Sequence, residues 1–112
     1  MTKFIYASDA GHGWIGVPES LLVELNIDHA ISDFSYYDRQ PSGSTVWVEE
    51  DGDAMLFVEA YRARFRKEPD FIDRNDGNSS PIRNLRSWRG TSLSWKAQFA
   101  MVEGFRAQQS AA

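Results

Sequence analysis

A chain of 112 residues with 42% hydrophobic and 13% aromatic residues can bury one core, which excludes a disordered chain and leaves no length for a second domain. Cysteine is absent, so disulfides, thiolate metal sites and cysteine nucleophiles are excluded. The formal charge of −4 is unevenly divided: residues 1–60 carry two bases against eleven acids, net −9, and residues 61–112 carry ten bases against five acids, net +5.

No apolar run approaches the roughly 20 residues that cross a bilayer. The opening Met1-Thr2-Lys3-Phe4-Ile5-Tyr6 meets Ser8 and Asp9 too soon for a secretory segment. The expectation is a cytoplasmic protein without a membrane partner. Asn78-Ser79-Ser80 is then a chance glycosylation match in a polar loop.

In chain order, Phe4-Ile5-Tyr6-Ala7 is β-prone, and Asp9-Ala10-Gly11-His12-Gly13 reads as a turn. Trp14-Ile15-Gly16-Val17 returns as the second strand of a hairpin. Pro18 opens a short helix with Leu21, Leu22 and Leu25 on one face and Glu19 near its N-terminus, ending near Asn26. A second hairpin is predicted from residues 33–37 and Thr45–Glu49, joined by Pro41-Ser42-Gly43-Ser44. Asp53 is placed to cap the longest helix, with Ala54, Phe57, Val58, Tyr61 and Phe65 on its apolar face and Glu59, Arg62 and Arg66 opposite. Pro69 sets the outer limit of that helix.

Residues 70–73 suit a short strand, and 74–81 form a polar loop. Thr91 or Ser92 caps a final helix with Trp95, Phe99 and Val102 as its apolar stripe and Phe105 at the edge. These elements predict a single α+β domain over residues 1–107 and a fraying tail over 108–112. Its sheet is mainly antiparallel, built from two hairpins and the short strand, with about three helices on one face.

Three groups of residues invite a chemical reading. Asp9, His12 and Trp14 surround the glycine-rich turn, where an imidazole beside a carboxylate suits acid–base or metal chemistry. Against a metal, His29 is the only other histidine and stands at no ligand-like spacing, so the alternative is an exposed His and an inward Trp. The acidic run Glu49-Glu50-Asp51-Gly52-Asp53 could take up a hard cation or stand as a solvated turn. Neither this run nor Asp73–Gly77 fits an EF-hand loop. Arg83, Arg86 and Arg89 beside Trp88 suit single-stranded nucleic acid or an acidic protein surface, or they pair with the acidic half of the chain. Phosphate-loop, dinucleotide, serine-hydrolase and zinc-protease signatures are all absent, and no cofactor is expected.

Residues 6–18, read as Tyr-x-Ser-Asp-x-Gly-His-Gly-Trp-Ile-x-Val-Pro, resemble the opening of small uncharacterised proteins of bacteriophages and proteobacterial plasmids. Ser35-Tyr36-Tyr37, the run Val46–Asp51 and Asp53-Ala54 are similar to their middle, and Ser80-Pro81-Ile82-Arg83 extends the likeness; another residue is expected in such proteins at Gly52. The resemblance implies a mobile-element setting and transfers no functional residue. That setting favours a non-enzymatic, anti-CRISPR-like inhibitor that occupies the basic surface of a host defence complex. Its binding residues would be Glu49, Glu50, Asp51 and Asp53, with Trp47 and Asp38. The alternatives are an RNA- or DNA-binding accessory protein using Arg83, Arg86, Trp88 and Arg89, and a metal-dependent hydrolase built from Asp9, His12 and the acidic turn.

Overall fold

In the computed structural model, which describes residues 2–89 and 93–110, alternation of apolar side chains builds the centre of the sheet. Strand β1 (Lys3–Ser8) pairs antiparallel with β2 (Gly13–Pro18), and β2 with β4 (Thr45–Glu49). Phe4, Ile15, Val17, Val46 and Val48 point to one face and enter the main core, while Ala7, Trp14 and Trp47 point to the other. Short β3 (Tyr36–Asp38) pairs with β4 on one side and with the two-residue β6 (Arg86–Ser87) on the other.

The fold is α+β, as the sequence predicts, but the sheet is mixed. Its six strands run β5-β1-β2-β4-β3-β6, and β5 (Asp70–Asn75) lies parallel to β1 at the edge. The chain reaches that edge from β4 through helix α2 (Gly52–Phe65), the long crossover that a parallel pair requires. The expected strand at 70–73 therefore exists, is longer, and is not part of a hairpin.

Short α1 (Glu19–Glu24) follows Pro18, and the chain turns away at Asn26 with φ 57°. Helix α2 begins one residue before Asp53, with Asp51 at the capping position, so Asp53 lies inside the first turn instead of capping it. The helix ends on Arg66 in a left-handed conformation. Its apolar face meets the sheet, with the Phe57 ring edge-on to Phe4 at 5.2 Å. Glu59, expected on the solvent side, is buried because helix α3 (Trp95–Ser110) covers it.

The expected stripe of α3 is displaced. Val102 is buried and Phe105 half-buried, but Trp95 and Phe99 stay exposed. Beside buried Val102, the side chains of Gln98, Arg106 and Gln109 carry hydrogen bonds to Asp53, Ala30 and Glu59. A docking face made of amides and a guanidinium is invisible to hydrophobic periodicity. The proposed caps Thr91 and Ser92, and the final residues 111 and 112, lie outside the described residues.

The second sheet face carries a smaller core of Ala7, Trp14, Trp47 and Ile82. Ile82 arrives on a 3-10 turn at Pro81–Asn84, capped by the Ser80 hydroxyl, which accepts from the Ile82 amide. Gly16 makes room for Trp47: a β-carbon there would meet its ring at 2.7 Å. No helix among the described residues is long and apolar enough to cross a membrane.

Candidate functional site

The acidic run closes the end of the sheet. Glu49 is the last residue of β4 and lies cross-strand from Trp14. Glu50 and Asp51 make the link to α2, and the turn at residues 9–12 approaches from the side. His12 Nδ1 lies 3.9 Å from a Glu50 oxygen, and the Tyr6 hydroxyl donates to the other Glu50 oxygen at 3.3 Å. Burial and the neighbouring Glu50 charge raise the Tyr6 phenol above its usual range. Ligand atoms of His12, Glu49 and Glu50 come within 4.8 Å of one another, a spacing at which one cation could be shared.

Glu49 is half-buried. Burial pushes its carboxyl up to about 7, and the charge of Asp51, followed by that of Asp53, adds to the rise. Its backbone amide donates to Ser35 Oγ at 2.9 Å, which ties the strand end to the polar cluster beneath.

Asp53 is the centre of that cluster. It is 2% exposed, and its carboxylate accepts from the Ser32 amide, the hydroxyls of Ser32 and Ser35, and Gln98 Nε2. No lysine or arginine among the described residues pairs with it. Gly52 lets Gln98 approach, since a β-carbon at that position would collide with the Gln98 carboxamide oxygen. Among the described residues, every buried side-chain nitrogen and oxygen has a hydrogen-bond partner.

Above this cluster opens a cleft of about 570 Å³. Trp14, Tyr36 and Glu49 from the sheet, Asp51 from the link, and the rings of Phe34 and Trp95 line it. Phe34 and Trp95 are each 73% exposed. These two rings, open to water, stand beside the carboxyl groups of Glu49 and Asp51 on the cleft lining.

The structure separates the sequence-derived candidates. Glu49 and Asp51 line the cleft, and Glu50 stands beside it outside the lining. Asp53 lies beneath them, buried at the cleft floor. Trp47 is buried on the second sheet face, with the Arg74 guanidinium 5.2 Å from its ring. Asp38 pairs with Thr45 at the opposite end of β4, where it accepts from Gln40, so it does not join the site. Trp88 is packed in the main core, edge-on to Tyr37 at 5.1 Å, so it offers no stacking platform for a base. Arg86 is exposed on β6, and Arg89 lies 3.8 Å from Glu19.

Asp9 is structural. Arg83 grips it with two hydrogen bonds of 2.6 and 2.9 Å, the Ser80 amide donates at 2.8 Å, and the Gly11 and His12 amides complete the turn. The Arg83 hydrogen bonds, then the backbone amides, hold the Asp9 carboxyl far below the usual range. His12 itself is exposed and Trp14 buried, the arrangement expected of a hairpin turn with an inward Trp.

Sequence reasoning missed Phe34, Trp95 and Gln98 as neighbours of the acidic turn, because their proximity is set by loop and helix packing over long separations. The exposed Phe34 within Asp33-Phe34-Ser35 was the one local signal. Compared with known proteins, the chain matches no family model, no curated protein and no solved structure.

Proposed function

We propose that this chain is a non-enzymatic protein-binding protein of a mobile genetic element, which inhibits a nucleic-acid-handling defence complex by occupying its basic surface. One observation supports the reading above all others. Four acids of the N-terminal half, Asp9, Glu19, Glu24 and Glu59, are paired with arginines of the C-terminal half, whereas Glu49, Glu50 and Asp51, clustered at one end of the sheet, have no such partner among the described residues. The negative potential of Glu50 and Asp51, joined by Glu49 as its carboxyl ionises around pH 7, projects from one end of the sheet beside the exposed rings of Phe34 and Trp95. A surface of that kind competes with phosphates for a lysine- and arginine-lined channel without catalysis or a cofactor.

The test is affinity capture from bacterial lysate over a salt series. A partner held by this face elutes steeply as salt rises, and the variant Glu49→Lys/Glu50→Lys/Asp51→Lys fails to retain it. Retention of the same partner by that variant would refute the mechanism.

A second reading, metal-assisted hydrolysis, draws support from the convergence of His12, Glu49 and Glu50. It loses Asp9, which is committed to Arg83. A cation bound with a hundredfold excess over its Kd would stabilise the fold by about 2.7 kcal/mol. No rise in thermal midpoint with Mn²⁺, Mg²⁺ or Zn²⁺ would remove this reading.

A further inference from the structure

We infer that the cleft beside the acidic turn is a receptor for a single arginine side chain of a protein partner; the inference rests on the protein-binding reading above and names the group that is recognised.

The chain seats three of its own arginines in one repeated way. Arg83 lies 5.4 Å from the Trp14 ring centre and is gripped by Asp9 at 2.6 and 2.9 Å. Arg74 lies 5.2 Å from the Trp47 ring and is gripped by Asp76 at 2.9 and 3.0 Å. Arg89 lies 4.7 Å from the Trp88 ring and 3.8 Å from a Glu19 oxygen. In each case a guanidinium rests on an aromatic ring and is held by one carboxylate. The planar ion is suited to this, because it stacks on a π face while its N–H groups reach acceptors at its rim.

The cleft offers the same parts with no guanidinium of this chain in place. Phe34, Tyr36 and Trp95 supply rings, and Glu49 and Asp51 supply carboxylates on the same lining. No lysine or arginine among the described residues pairs with either acid. Lys96 Nζ lies 5.9 Å from the Trp95 ring without forming an ion pair to them. Arg83, which lies over the Trp14 ring outside the cleft lining, is already neutralised by Asp9. At about 570 Å³ the cleft exceeds what one guanidinium with its methylene stem requires, leaving space for the adjoining backbone of the partner.

The rings decide among the cations. A metal ion would use His12, Glu49 and Glu50 but would leave Phe34 and Trp95 without a role, and Glu50 is outside the cleft lining. A lysine ammonium is a compact, strongly hydrated charge with no planar face to lay on a ring and no fork to match a carboxylate. The flat guanidinium accounts for both features of the site.

The probe is the capped tripeptide Gly-Arg-Gly, titrated into isotopically labelled protein while the indole N–H signals of Trp14 and Trp95 are followed. Saturating shifts at these indoles are expected, with a Kd on the order of 1 mM for so small a ligand. The citrulline counterpart, isosteric but neutral, should give no saturation, and the lysine counterpart should bind several-fold more weakly. Trp95→Ala should raise the Kd roughly three- to fivefold, and Glu49→Gln/Asp51→Asn at least about tenfold. Trp95 is exposed and the double variant relieves like-charge repulsion, so both should fold. Equal binding of the citrulline peptide, an unchanged Kd in both variants, or no saturable shift would overturn the assignment. Loss of peptide binding alongside charge-dependent partner capture removes the arginine receptor and leaves the inhibitor reading intact. Peptide binding without any captured partner does the reverse.

Discussion

Replacing Asp53 with alanine should cost far more stability than replacing its neighbours in the acidic run. The carboxylate receives four donor groups: the Ser32 amide, the Ser32 and Ser35 hydroxyls, both at 2.6 Å, and Gln98 Nε2 at 2.6 Å. A hydrogen bond to a charged group contributes about 1.5–3 kcal/mol, and each buried donor left bare costs about 1–3 kcal/mol. These terms do not add, because the two hydroxyls can rotate toward other acceptors while the amide and Gln98 cannot both be satisfied. The net loss expected for Asp53→Ala is about 3–5 kcal/mol, a large share of the roughly 5–15 kcal/mol that holds a domain of this size together. Equilibrium urea unfolding measures it, and amide exchange at Ser32 and Glu49 should speed up because both amides are anchored in the same cluster. Asp53→Asn keeps one acceptor oxygen and should lose less, about 1–3 kcal/mol. A loss below about 1 kcal/mol for Asp53→Ala would mean that the buried cluster is not what fixes the loop at residues 32–35 to α2.

Two further outcomes follow from geometry at single positions. Burial and the Asp51 charge place the Glu49 carboxyl at about 7, above the ordinary 4.5, so the folded chain holds this proton more tightly than the unfolded chain. Ionising Glu49 therefore costs stability progressively between about pH 4.5 and 7, and the penalty is complete above that range. Glu49→Gln should raise stability at pH 8 by about 1 kcal/mol after allowance for solvent screening, and change little at pH 4; equal effects in thermal melts at both pH values would contradict the cause assigned. Gly16→Ala should destabilise by about 1–3 kcal/mol and red-shift tryptophan emission, since the new methyl displaces the Trp47 ring. An unchanged spectrum would show that the indole does not rest on Gly16.

The parts of the fold that were legible in the sequence are those whose side chains obey one period and one environment. Val46-Trp47-Val48 is apolar throughout because β4 is central and covered on both faces, and the Ala54–Phe65 spacing reports a helix lying on a sheet. Strand β5 was harder to read for a physical reason. Its residues are mostly exposed at an edge, so no face is specified, and its parallel partner β1 lies more than 60 residues away in sequence. Two-residue β6 has no period to read. Helix α3 misled because polar side chains dock it, which leaves its aromatics outside. Asp53 misled in the opposite sense: a carboxylate in a charged run reads as solvated, and only Ser32, Ser35 and Gln98, brought in from 18 to 45 positions away, make burial affordable.

The charge asymmetry between the two halves then has a spatial explanation. At four N-terminal acids the C-terminal half brings a guanidinium: Arg83 to Asp9, Arg89 to Glu19, Arg64 to Glu24, and Arg106 with Arg62 to Glu59. Burial pushes the Glu59 carboxyl up, but hydrogen bonds from Arg106, Gln109 and Arg62 outweigh it and hold the group ionised below its usual range. At the end of the sheet the C-terminal half contributes instead Ser94, Trp95 and Gln98, which are polar or aromatic but uncharged. Gln98 satisfies Asp53 below without neutralising Glu49 and Asp51 above. The same helix that compensates the acids along α2 through Arg106 thus begins with a residue set that leaves its first turn facing bare carboxylates. The negative face is in this way a consequence of where α3 starts, and an arginine placed at Trp95 would close the site from within.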